Sequence, residues 1–318
     1  DWSGEYRFYN SATLAHSNRI GNLGYKLSFT RNENQSYRQS GFYTRHLGFI
    51  KAEYDFTPST SVGLLINGHQ GVSGNFLYWK DSRNVLVPPD ADQGQKTRSF
   101  RIMNALLLKH VVNSSLFFDL KGSYYRTKWE DETVSQNTST THLLRGELQG
   151  TYQVGEKMVL VSGGEISTGK VNSNIFTDPF SFGAGLYSQL DYDFYFPLRA
   201  SFGIRYDYSK LDSLDGSRSL SPKVGLNYKL SESTILRSSF GTGFRAPSLA
   251  ETFTSTTASG IVIKPNPNLK PERNFSFEIG GIQNFNDFIS IDAALFQNEY
   301  YDFIEPGIDP ADGKAFFN

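Results

Sequence analysis

The sequence predicts an all-β fold, an antiparallel up-and-down transmembrane β-barrel section of about fourteen strands. Three observations predict it. Apolar and polar residues alternate with a period of two along most of the 318-residue chain. That pattern separates them onto the two faces of a strand and would scatter them around a helix. The connections alternate short and long, as tight turns at one rim and long loops at the other require. Hydrophobic residues make up only 38% while aromatics reach 15%, with Tyr 18 and Phe 26 against Trp 3 and Met 2. A mean hydropathy of −0.41 and the lack of a long apolar run exclude a transmembrane helix bundle. A barrel strand alternates lipid and lumen contacts, so its average hydropathy looks soluble.

In chain order, strands are expected at 2–14, 20–31, 43–56, 61–71, 98–113, 115–128, 141–154, 157–171, 181–195, 198–210, 219–230, 234–245, 272–285 and 288–303. Most exceed the roughly nine to eleven residues that a tilted strand needs to cross a bilayer. Within 43–56, Ile50, Ala52, Tyr54 and Phe56 share a face opposite Lys51, Glu53 and Asp55. Within 141–154, Leu144, Leu148, Tyr152 and Val154 oppose Arg145, Glu147, Gln149, Thr151 and Gln153. The cleanest alternation sets Leu198, Ala200, Phe202, Ile204, Tyr206 and Tyr208 against Arg199, Ser201, Arg205, Asp207 and Ser209. Val224, Leu226, Tyr228 and Leu230 likewise oppose Lys223, Asn227 and Lys229. In 234–245, Gly241 and Gly243 fall with Arg237 and Arg245 on the polar face, where they relieve crowding. No stretch shows convincing helical spacing.

Short turns are expected at 57–60, 113–114, 155–156, 196–197, 231–233 and 286–287, and long loops at 72–97, 129–140, 172–180, 211–218 and 246–271. A soluble sandwich has no reason to sort its loops this way. Aromatics gather near strand ends, at Trp2, Tyr6, Phe8 and Tyr9, at Phe76, Tyr78 and Trp79, and at Tyr124, Tyr125 and Trp129. Further clusters are Phe194, Tyr195 and Phe196, and Tyr300, Tyr301 and Phe303. Such clusters suit the interface girdles of a barrel.

Composition removes several function classes. A net charge of −1 lacks the basic footprint of a nucleic-acid binder. Zero cysteine excludes disulfides, thiolate catalysis and Cys-ligated zinc. No nucleophile motif or paired-acid motif stands out, so no enzymatic activity, no catalytic residue and no cofactor is expected. His16, His46, His69, His110 and His142 share no ligand spacing. Asp90 and Asp92 resemble the front half of a calcium loop but lack its terminal Glu. Trp129-Glu130-Asp131-Glu132, Asp309 and Asp312 are further acidic loop positions.

The most specific segment runs Phe240-Gly241-Thr242-Gly243-Phe244-Arg245-Ala246-Pro247-Ser248-Leu249-Ala250-Glu251, followed later by Asn266-Pro267-Asn268-Leu269-Lys270-Pro271-Glu272. The first element is a strand ending in a Pro-marked loop. The second is a rigid extended loop before the next strand. The spacing of Gly241, Gly243 and Ala246 is close to a dinucleotide fingerprint, but that fingerprint needs a helix straight after the glycines, and Pro247 follows instead. If Phe240 and Phe244 face lipid, Arg245 faces the lumen, where it needs an anionic partner or water. Glu251 or Glu272 is the expected partner.

These two elements resemble the barrel domain of TonB-dependent outer-membrane receptors. Leu220-Ser221-Pro222-Lys223-Val224-Gly225-Leu226 and Leu236-Arg237-Ser238-Ser239-Phe240 resemble it too. Carried over residue by residue, the family motif covers Gly243, Phe244, Arg245, Ala246, Pro247 and Ser248, then Asn268, Leu269, Lys270, Pro271 and Glu272. The resemblance implies a barrel of about 22 strands filled by a plug domain and located in the bacterial outer membrane. It implies import of a scarce extracellular ligand: a siderophore, haem, cobalamin or an oligosaccharide. It implies energy from the TonB complex acting through the plug. No plug is recognisable in residues 1–318, which read as one partial barrel domain.

With short turns on the periplasmic side the first strand runs downward, so at least one strand is expected before Asp1. The opening Asp1-Trp2-Ser3-Gly4 has neither the basic nor the apolar region of a signal peptide. The expected partners are outer-membrane lipid, a small extracellular ligand and, through the plug, the TonB complex. Ligand contacts are expected from loop residues Phe76, Tyr78, Trp79, Arg83, Trp129, Phe176 and Phe180. Calcium in the outer loops is left open. Two rival readings remain: a passive porin, which needs a closed sheet, and a soluble β-sandwich, which needs an apolar core between two sheets.

Overall fold

The computed structural model describes residues 8–76, 78–132, 136–176, 178–258, 261–285 and 288–318. The chain runs through β1 (Tyr9–Ile20), β2 (Leu23–Asn34), β3 (Tyr43–Thr57), β4 (Thr60–Gly74), β5 (Lys96–Val111), β6 (Leu116–Asp131), β7 (Thr138–Val154) and β8 (Met158–Ser173). It continues through β9 (Phe180–Asp193), β10 (Leu198–Leu211), β11 (Ser217–Lys229) and β12 (Thr234–Arg245). A short helix, α1 (Leu249–Phe253), and the three-residue strands β13 (Thr256–Ala258) and β14 (Ile261–Ile263) lie in the loop that follows. Then come β15 (Glu272–Asn284), β16 (Ser290–Tyr301), β17 (Pro306–Ile308) and β18 (Ala315–Phe317).

The long strands form one 14-stranded sheet in the order β1 to β12, β15, β16. Every neighbour pair is antiparallel and sequential, as hairpin connections dictate. The connections within the described residues sort as expected. Turns 21–22, 58–59, 112–115, 155–157, 194–197 and 230–233 lie at one rim, and loops 35–42, 75–95, 212–216 and 246–271 at the other. The turn expected at 286–287 lies outside the described residues.

The register fixes the faces. Leu198↔Tyr228, Ala200↔Leu226 and Phe202↔Val224 pair apolar with apolar across β10 and β11. Their neighbours Arg199↔Asn227 and Gly203↔Lys223 fall on the other side. Leu14↔Phe29 and Leu27↔Ile50↔Ile66 continue the apolar face at the opposite end of the sheet. That face is uncovered: Leu14 is 78% exposed, Leu186 67% and Leu295 76%. Among the described residues the buried apolar side chains are Val171, Ile175, Ala200 and Ile304, with the prolines Pro88, Pro179 and Pro247. A sandwich of this length would bury far more between two sheets, so the soluble-sandwich reading fails. β1 and β16 are the two ends of the sheet and do not pair with each other, which removes the support the porin reading needed.

Three expectations change. The first described strand runs 9–20, past the expected end at 14, because the turn sits at 21–22 with Gly21 at φ 57°, a left-handed conformation that glycine adopts without steric cost. A helix does form, at Leu249–Phe253. The aromatic clusters split: Tyr124 and Tyr125 are consecutive and point to opposite faces, and Trp129 shares the polar face with Tyr125. Trp2 and Tyr6 lie outside the described residues.

A second sheet, ordered β13-β14-β18-β17, is built from segments that follow β12 and β16, at the long-loop rim. Lys264 ties it to the hairpin before β18, with Nζ 2.5 Å from Asp309 Oδ2 and 3.1 Å from Asp312 Oδ2. Hydrogen bonds from Lys264 raise the pKa of that ammonium above its ordinary value, Asp309 contributing most. The same bond holds the Asp309 carboxyl below the usual range. Asp312 is lowered first by the Lys314 backbone N–H and then by Lys264.

Candidate functional site

At the end of β12, Arg245 faces two carboxylates. Its Nε and Nη2 donate to the two oxygens of Glu272, each at 2.6 Å. Its Nη1 donates to both oxygens of Glu251 at 3.0 Å. The expected partner was one of these two; the guanidinium takes both. Two donors in a rigid fork on one carboxylate is the arrangement that sets Arg apart from Lys. Glu272 Oε1 also accepts from the Ile304 backbone N–H at 2.9 Å. One guanidinium therefore ties the end of β12, α1, the start of β15 and the segment after β16.

α1 is placed by a capping box. The Ser248 hydroxyl accepts from the Glu251 N–H at 3.2 Å, and Glu251 Oε2 accepts from the Ser248 N–H at 2.7 Å. This Ser-x-x-Glu pattern is legible in the sequence, and it is the signal for α1 that helical periodicity could not give over five residues. Burial works to raise the Glu251 carboxyl, but the Ser248 bonds and the Arg245 guanidinium outweigh it and hold it below the usual carboxylate range. Thr252 is fully buried, and its carbonyl accepts from the Asn266 N–H at 3.0 Å. The Asn266 side chain in turn donates to the Phe317 carbonyl at 2.8 Å and accepts from the Asn268 N–H at 3.1 Å.

Among the motif residues, Gly243 has a steric reason and Gly241 does not. A Cβ at Gly243 would collide with Oδ1 of Asn274, its cross-strand partner. At Gly241 it would meet only Lys223 Cβ at an ordinary 3.7 Å. Phe244 lies on the apolar face, Pro247 is buried at the loop entry, and Lys270 Nζ lies 3.9 Å from Asp302. Ala246, Leu269 and Pro271 frame the loop without polar side chains.

The polar face carries an ionic network on β6 to β10 that single-strand reading missed. Glu165 bridges Arg145 and Arg205. Arg205 also reaches Asp207 at 2.7 Å. The Tyr187 hydroxyl donates to Glu147 at 2.8 Å, and Lys121 Nζ lies 3.8 Å from the same carboxylate. Each charge is visible in the sequence, but only the register places Glu147 opposite Glu165 and Tyr187 opposite Arg205.

Nearer the long-loop rim, the same face holds a cavity of about 520 Å³. Arg45, His69, Arg101 and Trp129 line it, with Ser73, Thr97, Ser99 and Thr127.

The loop residues expected to contact ligand divide. Phe76 packs against Arg38, whose guanidinium lies 5.0 Å from its ring and 5.2 Å from that of Tyr37. Tyr78 and Trp79 are exposed in the 75–95 loop, and Arg83 is exposed beside them. Phe176 is half-buried in the 174–179 connection. Trp129 and Phe180 are corrections. Trp129 belongs to β6 and lines the polar-face cavity, because β6 runs on to Asp131. Phe180 opens β9 opposite Lys170 on the apolar face, so it is not a loop tip.

The acidic positions do not assemble. Asp90 is held by Lys80 Nζ at 2.6 and 2.8 Å and by Gln93 Nε2 at 2.9 Å, and Asp92 is buried. Among the described residues no group of three or more His, Asp or Glu side chains gathers as a metal site.

An uncovered apolar face, a charged opposite face and sorted loops define a section of an up-and-down transmembrane barrel. The chain belongs to the TonB dependent receptor-like, beta-barrel family, whose profile it matches over residues 1–317. It is 33% identical over 254 residues to transferrin-binding protein A of Neisseria meningitidis serogroup B, covering 74% of this chain and 27% of that protein. It is 34% identical over 102 residues to the vitamin B12 transporter BtuB of Vibrio vulnificus, covering 32% of this chain and 14% of the transporter. Its fold is similar to the siderophore receptor PirA of Pseudomonas aeruginosa, with a TM-score of 0.78 at 16% identity, covering 98% of this chain and 56% of that one. The hemophore receptor HasR of Serratia marcescens gives a TM-score of 0.73 at 18% identity. The chain thus spans little more than half of these structures and about a quarter of the transferrin-binding relative.

Proposed function

We propose that this chain is the barrel portion of an outer-membrane receptor that captures a scarce extracellular ligand and imports it with energy from the TonB complex. The carrying observation is the two-faced sheet with its long loops at one rim. Its apolar face suits lipid, its charged face suits a lumen filled by water and a plug, and its loops suit capture at the cell surface. The ionic network around Glu165 would give a plug a polar wall to dock against. The free edges of β1 and β16 would pair with further barrel strands, since unpaired backbone groups in hydrocarbon cost several kcal/mol each. Candidate ligands are a siderophore, haem, cobalamin or an oligosaccharide, with transferrin added by the name of one relative.

The test is accumulation of radiolabelled iron(III) chelates, haem and cobalamin by cells with and without the receptor gene, in backgrounds with and without TonB. Accumulation of at least one ligand should need both genes. Accumulation that needs the receptor gene but not TonB would make the protein a passive channel.

A further inference from the structure

The geometry points to a slot in the wall of the sheet, between β11 and β12, that seats the phosphate headgroup of a membrane lipid. This inference rests on the membrane-spanning reading of the sheet and is independent of import. The slot begins at Pro222. The Lys229 N–H donates to the Pro197 carbonyl on the β10 side, and the Leu230 N–H donates to the Thr234 carbonyl on the β12 side. Successive N–H groups of a strand point to opposite neighbours, so the even-numbered residues of β11 aim theirs at β12. Position 222 is one of them, and proline has no N–H to give. The ladder between β11 and β12 accordingly runs from Lys229↔Ile235 to Lys223↔Gly241 and stops there. Both strands stay paired on their other sides, β11 as far as Ser209↔Ser217 and β12 as far as Arg245↔Glu272. This seam alone parts, and it parts toward the long-loop rim.

The parted seam holds a cavity of about 560 Å³. Leu220, Thr242 and Phe275 line it from the apolar face, and Gly243 and Asn274 from the polar face. The Thr242 hydroxyl is buried without a hydrogen-bond partner, and a buried polar atom of this kind calls for a partner from outside the chain.

Two cations stand at the rimward end. Arg218 lies opposite Tyr208, and Arg273 lies between Phe244 and Tyr301, so both belong to the lipid-facing side. Both are exposed and line the cavity. Neither has a carboxylate within ion-pair reach among the described residues. The acids nearby are engaged elsewhere: Asp302 lies 3.9 Å from Lys270 Nζ, and Glu299 accepts from Gln297 and from the Tyr301 hydroxyl. Arg237 and Arg245, on the polar face of β12, are by contrast paired.

The ligand chemistry follows. Guanidinium groups take phosphate oxygens with charge-assisted hydrogen bonds, and the Thr242 hydroxyl supplies a further donor. Away from the rim the apolar face continues through Leu220, 60% exposed, and Phe277, 41% exposed. A soluble anion would use the arginines alone. A lipid uses both the arginines and the apolar surface beneath them, with its headgroup at the level of the rim and its chains along the wall.

The experiment uses the full receptor in nanodiscs of phosphatidylcholine containing a minor share of radiolabelled phosphatidic acid. A photoreactive p-benzoylphenylalanine replaces Leu220 in one receptor and Ile204, midway down the apolar face of β10, in another. Label captured per receptor is measured after illumination. Capture at 220 should fall about five- to tenfold with Arg218→Gln or Arg273→Gln, as loss of a charge-assisted contact does. Arg218→Lys should retain most of it. Pro222→Val restores the missing N–H and should lower capture at 220 while slowing hydrogen exchange at the Thr242 amide. Capture at 204 should be unchanged in every variant, and excess inorganic phosphate should displace nothing. Capture at 220 that ignores both Gln variants, or that survives Pro222→Val, overturns the slot. Displacement by inorganic phosphate makes it a site for soluble anions and overturns the lipid. No capture at 204 removes the membrane-spanning reading itself, an outcome distinct from failure at 220 alone.

Discussion

Arg245 concentrates more of the rim's connectivity than any neighbouring side chain. Its side chain is 45% exposed while Glu251 and Glu272 are 18% and 13% exposed, so removing the guanidinium leaves two mostly covered carboxylates facing each other. An exposed ion pair is worth little, whereas hydrogen bonds to a charged, covered partner are worth about 1.5–3 kcal/mol. Arg245→Met is expected to destabilise the rim by about 1–3 kcal/mol and to raise protease cleavage within 246–271 severalfold, with strands β3 to β10 unaffected. An unchanged cleavage rate would place the stability of this loop elsewhere. The pairing was legible because both acids sit in the same two sequence elements as the arginine. The roles of Trp129 and Phe180 were not. β6 runs three residues further and β9 opens one residue earlier than the alternation suggested, and in a strand one residue decides the face.

At the scale of the element, α1 and the second sheet are held largely by carboxylates. The Glu251, Asp309 and Asp312 groups all lie below their ordinary pKa values in the folded protein. A carboxylate lowered on folding contributes stability above its unfolded value and loses it as pH falls through the folded one. Lys264 is raised by Asp309 and Asp312, so its contribution lasts while those carboxylates are ionised and, on the alkaline side, is lost as pH rises through its folded value. The rim should therefore be stable from about pH 5 through neutrality and loosen below about pH 4. Cutting of 246–271 by pepsin, measured against cutting of a short-turn site such as 155–157, should rise over that acid interval. A flat ratio would mean that these ion pairs do not hold the loop. Fourteen long strands were readable from alternation because one face is apolar along nearly its whole length. The three-residue strands β13, β14, β17 and β18 were not, since three residues carry no period and their pairing joins segments far apart in sequence. The first turn falls at Gly21-Asn22, a hairpin signal that alternation alone does not locate.

At the scale of the whole molecule, composition and fold explain each other. A 318-residue chain with 38% hydrophobic residues and, among its described residues, a handful of buried apolar side chains cannot be held by an ordinary core. What it has instead is one sheet whose apolar face is left for another solvent and whose charged face is left for water or a second domain. The ionic network and the cavity were hidden from sequence for one reason: they are products of register across strands, and register is set by turn positions that are the least certain part of any strand assignment.

The central claim is that alternate residues of a single strand meet lipid and lumen. The absence of cysteine permits its direct test. Single cysteines placed in turn from 199 to 209 on β10, each carrying a nitroxide, are examined in the full receptor in bilayers. Collisions with oxygen report lipid, and collisions with a polar nickel chelate report water. Oxygen accessibility should peak at the exposed apolar positions 202, 204 and 206, with the alternate positions shielded from oxygen. A profile without that period of two, or one in which 202 and 204 are as open to the nickel chelate as 199, would contradict the membrane-spanning assignment.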